Sequence, residues 1–377
     1  MFSNPSFSNN TCLNIGRMAL TVAAETYSQC ATIPIRNFGG YNNITYYMES
    51  ACTINSGTTI TVPAGIVFKS SRAYGFNVNG RLNIQGTSGI PVVFTNEADD
   101  TYGNPMDMNQ DGSATQPPNG NSNQLWYGNW LSFSDVSNDS STVQYTTLKY
   151  GDVGILLTSA APAIDHVRFE NLYYGVDLNG VSTPKIDNCI FHNLRYYPMQ
   201  ISLVSFPSSI TNNLISGTSY KVIKVRNETL TQDVTLTKQS FGGINNIPYL
   251  FGSYTVGTGA TLTINPGVVC KFNGGALYVY KGLIAEGETD PDSNIVFTDF
   301  RDDFFGGDSN SDSTYSVPAL GSWQGIYFYD QALDPLCRLR NCFIKYSNHG
   351  INTISASPQV TYSTITKNYY GVYATAA

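Results

Sequence analysis

The chain copies itself. Phe38-Gly39-Gly40-Tyr41-Asn42-Asn43-Ile44 returns about two hundred positions later as Phe241-Gly242-Gly243-Ile244-Asn245-Asn246-Ile247. Thr59-Ile60-Thr61-Val62-Pro63-Ala64-Gly65-Ile66-Val67-Phe68-Lys69 returns as Thr261-Leu262-Thr263-Ile264-Asn265-Pro266-Gly267-Val268-Val269-Cys270-Lys271. Gly128-Asn129-Trp130 matches Gly321-Ser322-Trp323, and Tyr173-Tyr174-Gly175-Val176 matches Tyr369-Tyr370-Gly371-Val372. A tandem array restricts the chain to architectures in which each copy buries its apolar face against the next.

A shorter period lies inside each copy. Pro162-x-Ile164-x-x-Val167-x-Phe169 recurs twenty-two residues later as Pro184-x-Ile186-x-x-Cys189-x-Phe191, and the second copy supplies Pro358-x-Val360-x-x-Ser363-x-Ile365. Each apolar run is too short to cover a core alone, so rung must stack on rung. Twenty-two residues suffice for three short strands and three corners. The expected fold class is therefore all-β, a right-handed parallel β-helix (solenoid) forming a single elongated body of about fifteen rungs. Residues 1–208 read as a first long β-helix unit and 209–377 as a second, incomplete unit continuous with it. Gly154, Gly175, Gly350 and Gly371 are expected at corners that need left-handed backbone angles.

Composition agrees with β structure and narrows the partners. Charged residues make up 12% of the chain, and 26 tyrosines and 34 glycines accompany a net charge of −7. That balance supplies no basic stripe for phosphate backbones, so nucleic acid is not an expected partner. No run is long enough for a membrane span. The chain starts and stops part-way through a repeat, which suggests a segment of a longer protein, so a missing signal peptide says nothing about compartment. An array with open strand edges invites axial stacking into a homo-oligomer or filament.

Six of the seven cysteines, Cys12, Cys30, Cys52, Cys270, Cys337 and Cys342, fall at positions that the other copy fills with other residues, so disulfides are not essential to the fold. Most read as small buried hydrophobes. Cys337 and Cys342 are expected on opposite faces of one strand, and Cys12 and Cys30 are the pair to test for a bridge, within the chain or to a neighbour.

Two Asp-rich loops occupy equivalent places in the copies. The first contains Asp99, Asp100, Asp107, Asn109 and Asp111, and the second Asp302, Asp303, Asp308, Asn310 and Asp312. Asp-x-Asn-x-Asp sets oxygen ligands at alternate positions of a tight loop, which suits Ca²⁺ with its six to eight oxygens. There is no flanking helical pattern and no glutamate at the twelfth position, so this is not a helix-loop-helix calcium hand. Gly112 becomes Ser313 in the second loop, where the sharp turn is less assured.

The run Thr-[Ile/Leu]-Thr-[Val/Ile]-x-x-Gly-[Ile/Val]-Val-x-Lys, then Phe-Thr with an Asp-rich loop, then Gly-x-Trp, resembles right-handed β-helix repeat regions of large secreted bacterial surface proteins of the Bacteroidetes type. These are similar in fold to pectate-lyase-like β-helices. The resemblance implies an extracellular or cell-surface location, a role as adhesin stalk or fibre, and calcium loops at Asp107, Asn109, Asp111 and at Asp308, Asn310, Asp312.

Asp165 and Asp187 occupy the same place on successive rungs, near the spacing of a retaining glycosidase pair. The second copy has Thr361 there, and a solvated face is the plainer explanation. His166, His192 and His349 share no metal-ligand spacing and read as surface or corner residues. The tyrosine pairs Tyr173/Tyr174, Tyr196/Tyr197 and Tyr369/Tyr370 are expected to form ladders. Trp126, Trp130 and Trp323, close behind the Asp-rich loops, are expected to pin those loops. The expected function is a non-catalytic extracellular structural module, a β-solenoid stiffened by calcium. The alternatives are a polysaccharide lyase or glycosidase, and a module that binds an extracellular glycan through exposed aromatics in a groove.

Overall fold

The computed structural model describes residues 10–13, 15–117 and 128–376. It is a parallel β-solenoid of about 14 turns. The chain divides into two compact units, Met1–Pro198 with Ser205–Thr218, and Met199–Val204 with Ser219–Ala377. Among the described residues no helix is long and apolar enough to cross a membrane.

The early turns of the first unit have three short strands each, and Thr142–Lys149 rounds a corner to pair with both Arg81–Gln85 and Val92–Asn96. Val67–Ser70, Phe76–Val78 and Arg81–Gln85 are followed by Val92–Asn96, Asn129–Phe133 and Thr142–Lys149. All pair in parallel with the strand one turn earlier, with Phe94 opposite Phe68, Leu131 opposite Phe76 and Val143 opposite Ile84. The twenty-two-residue period is the register itself, since Ile164 lies opposite Ile186 and Phe169 opposite Phe191. Like residues therefore pile into columns. Phe68 and Phe94 stack at 4.7 Å and Phe169 and Phe191 at 4.8 Å, all buried. Each such side chain removed from water contributes about 2 kcal/mol.

The second unit repeats the plan. Val269–Phe272, Ala276–Val279 and Gly282–Glu286 are followed by Ile295–Asp299, Trp323–Phe328 and Cys337–Arg340, with Phe297 opposite Cys270 and Leu339 opposite Ala285.

Three local expectations are corrected. Gly154, Gly175, Gly350 and Gly371 do not have positive φ. The first three are strand positions crowded by a neighbouring turn: a Cβ on Gly154 would come 2.6 Å from the Phe169 ring and 2.8 Å from the Gly175 carbonyl. One left-handed corner of successive turns falls on Tyr145, His166, Asn188 and Asn212, and in the second unit on Asn341 and Tyr362. Cys337 and Cys342 do not face opposite ways. The left-handed Asn341 separates two strands and resets the alternation, so both thiols point inward and donate to the carbonyls of Lys281 and Ala285. Cys12 and Cys30 are separate free thiols, the first beside Gly39 and Met18 and the second accepting from the Thr59 N–H at 3.3 Å. Five of the seven cysteines are buried, as small hydrophobes would be.

Candidate metal centres

In each unit one corner opens into a long excursion, described over residues 97–117 after Val92–Asn96 and over residues 300–322 after Ile295–Asp299. Strand alternation explains where each goes. Phe68 points inward and Lys69 outward, yet Lys69 is fully buried because the loop folds back over it. Its ammonium donates to the carbonyls of Asp99 (2.8 Å) and Met106 (2.5 Å). Lys271 does the same in the second unit, donating to the Gly307 carbonyl (2.9 Å) and the Ser309 hydroxyl (2.6 Å). Burial lowers both lysines from their ordinary range despite nearby carboxylates, Lys271 to about 8.

The loops reach still further back. Met108 accepts from the Met18 N–H, and Ser309 from the Lys221 N–H, each at 2.8 Å. Met18 leads into Leu20–Val22, which pairs with Tyr46–Met48, then Val67–Ser70, then Val92–Asn96. Lys221 leads into the equivalent series Ile223–Val225, Tyr249–Phe251, Val269–Phe272 and Ile295–Asp299. Each loop is thus a staple across four stacked strands.

Asp99 and Asp302 belong to the staple rather than to an oxygen cage. Asp99 accepts from the hydroxyls of Thr95 and Thr101 and lies 3.2 Å from the Lys149 ammonium. Burial opposes its charge, but the Thr101 and Thr95 hydroxyls and Lys149 outweigh it and hold Asp99 below the usual carboxylate range. Asp302 accepts from the Thr298 hydroxyl at 2.6 Å and pairs with Lys345 at 3.2 Å.

The neighbouring acids converge. Carboxylate oxygens of Asp100, Asp107 and Asp111 lie within 4.8 Å of one another, as do those of Asp303, Asp308 and Asp312. Two turn bonds shape each cage. Asp107 accepts from the N–H groups of Asp111 (3.2 Å) and Gly112 (2.9 Å), and Asp308 from those of Asp312 and Ser313 (both 3.1 Å). Ser313 takes the same left-handed backbone as Gly112, so the second loop keeps its sharp turn. The Asn109 amide donates to Asp111 and Thr115, and that of Asn310 to Asp312 and Ser316. This fixes each amide with its oxygen turned the other way. Those oxygens, Asn109 Oδ1 and Asn310 Oδ1, are buried without a hydrogen-bond partner, as are Asp100 Oδ1, Asp303 Oδ1 and Asp312 Oδ1. Burial, and then the adjacent Asp107 or Asp308 carboxylate, push Asp100 and Asp303 above the usual carboxylate range. Three carboxylates this close repel one another. Hard oxygens, buried lone pairs and mutual repulsion are the features a Ca²⁺-sized cation would relieve.

The other candidates fall elsewhere. Asp165 and Asp187 are register partners, but both are engaged: Asp165 with His166 and Asn188, Asp187 with Ser209 and Thr211. Although burial opposes it, these bonds from Ser209 and Thr211 hold Asp187 below the usual carboxylate range, the wrong direction for a general acid. His166 is an exposed corner residue stacked on Tyr145, His192 bonds Ser216 and His349 bonds the Tyr327 hydroxyl. Tyr174 stacks on Tyr196 and Tyr197, both at 5.7 Å, and Tyr370 on His349 at 5.2 Å. Trp130 and Trp323 do not pin the loops; they are buried in the coil and donate to the carbonyls of Lys149 (2.9 Å) and Lys345 (2.8 Å). Pinning is done by Lys69 and Lys271, which the repeated motif contains at its last position. Trp126 lies outside the described residues. Comparison with known protein families, with characterised proteins and with solved structures finds no match.

Proposed function

We propose that this protein is a non-catalytic structural module, a β-solenoid stiffened by Ca²⁺, of the kind that extends a surface adhesin or builds an extracellular fibre. The observation that carries this reading is the duplicated oxygen cage, with its unpartnered buried oxygens, set in a loop that staples four strands. In each unit Asp100, Asp107, Asn109 and Asp111, or Asp303, Asp308, Asn310 and Asp312, would hold the ion. A cation there would neutralise the repulsion and lock the staple against the coil, raising resistance to unfolding without any chemistry on a substrate. Calorimetric titration should find two calcium sites per chain, and chelation should lower the melting temperature. If neither chelator nor added calcium moves the melting curve, the reading fails.

Axial association has its own support. The strand Tyr370–Thr375 is exposed throughout, including Val372 and Tyr373, and among the described residues its outer edge has no pairing strand. That edge offers main-chain groups to a further parallel strand, from a second copy or from more of a longer polypeptide. Concentration-dependent sedimentation is the expected result, and a strictly monomeric species at high concentration would count against stacking of copies. Less supports a lyase or glycosidase, because the Asp165 and Asp187 carboxylates are both committed to neighbouring rungs.

A further inference from the structure

The second unit has a groove of about 670 Å³ that the Asp-rich loop builds beside its oxygen cage. Phe304, Phe305 and Phe343 line it together with Lys238, Asn246 and Asp292. Phe304 is 82% exposed, and the rings form a connected set, Phe304 to Phe305 at 4.8 Å and Phe305 to Phe343 at 5.5 Å. Phe304 turns most of its ring to water beside two others, and a concave aromatic surface of this size is a ligand-binding shape. Gly267 lets the Asp292 carbonyl and Lys238 pack close against the wall of the groove, since a Cβ there would come within 2.6 Å of the Asp292 carbonyl and 2.7 Å of the Lys238 ammonium.

The polar lining selects among ligands. Asn246 spends its amide N–H on the Gly267 carbonyl (2.8 Å), and Asn294, also in the groove, spends its own on the carbonyls of Asp290 and Pro291. Their carbonyl oxygens and the Asp292 carboxylate remain as acceptors, with Lys238 as donor. Acceptors and a donor beside an aromatic surface match a molecule with one C–H face and a rim of hydroxyls. A cationic guest is disfavoured because the Lys345 ammonium already sits over Phe304 (5.4 Å) and Phe305 (4.7 Å). An anionic guest would meet the Asp292 carboxylate in the lining. We infer that this groove binds a neutral saccharide, with a pyranose stacked on Phe304 and Phe305 and its hydroxyls donating to Asn246, Asn294 and Asp292. The inference goes beyond the structural reading and does not depend on it, since saccharide binding and calcium stiffening are measured separately.

The test uses the full chain and neutral hexasaccharides of β-1,4-linked glucose, xylose and mannose, followed by saturation-transfer NMR and calorimetry. At least one should bind, and Phe304→Ala should weaken it by about tenfold or more while leaving the melting temperature unchanged, as expected for so exposed a ring. Asn246→Ala should weaken it as well. The inference is overturned if no hexasaccharide binds at millimolar concentration, if Phe304→Ala leaves the affinity unchanged, or if the groove takes a hydrophobic dye that the sugars fail to displace.

Discussion

The two Asp-rich loops share a skeleton and differ in what they show to solvent. Both place a lysine from the strand below under the loop, both anchor an aspartate between a threonine and a second lysine, and both gather three carboxylates and an asparagine oxygen. Yet Thr101 and Tyr102 of the first loop become Phe304 and Phe305 of the second. Thr101 turns its hydroxyl down onto Asp99, and Tyr102 lies with its ring 5.0 Å from the Lys149 ammonium. Phe304 has no hydroxyl to turn inward and stands in the open. What the copies share holds the coil together. What they do not share is where a specific surface has been added to one of them.

The sharpest way to break the comparison is to remove the buried lysines. Lys69→Ala and Lys271→Ala each strand two loop acceptors in a site closed to water, a loss of roughly 3 kcal/mol or more. The two variants should lose similar amounts in urea unfolding, and limited proteolysis should cut each variant first in its own loop. If one lysine costs under about 1 kcal/mol, the loops are not equivalent staples.

Next come the cages themselves. Asp107→Ala and Asp308→Ala should each abolish one calcium-binding event in calorimetric titration and leave the other, because each cage is built wholly within its own loop. At a calcium concentration near a hundred times the dissociation constant, each lost site should remove about 2.7 kcal/mol of stabilisation. Loss of both sites from either single variant would show that the two are coupled.

The sequence exposes the coil well because its period is the register, as Ile164 over Ile186 and Phe169 over Phe191 demonstrate. It hides many of the corners, because left-handed angles fall on Tyr145, His166 and Tyr362 as readily as on asparagine or glycine. The Cys337 and Cys342 expectation failed for that reason. Of the oxygen cage, the Asp-x-Asn-x-Asp part is legible, whereas the division between Asp99 and Asp100 is not. Adjacent acids look alike until the fold puts Lys149 beside one of them. Lys69 and Lys271 were visible as a repeated pair, but only the overlying loop reveals why a strand should carry a buried ammonium. Phe304 escaped notice because comparing the copies selects for sameness.

A smaller effect separates the units at the return strand. Asp152 lies half-buried, accepting from the Gly128 N–H at 3.3 Å, and burial raises it to about 6; the second copy carries the neutral Asn348 at the same place. A carboxyl whose folded pKa lies above its unfolded value of 3.8 keeps in the folded chain a proton that the unfolded chain releases. It therefore costs nothing below about pH 3.8, and its penalty grows as pH rises towards 6 and persists above. Asp152→Asn copies the second unit, and Asn can still accept the Gly128 N–H. After allowance for solvent screening, the variant should gain on the order of 1 kcal/mol near pH 7.5 and almost nothing near pH 3.5, read as paired melting curves. A gain of equal size at both pH values would mean that packing, not charge, distinguishes Asp152 from Asn348.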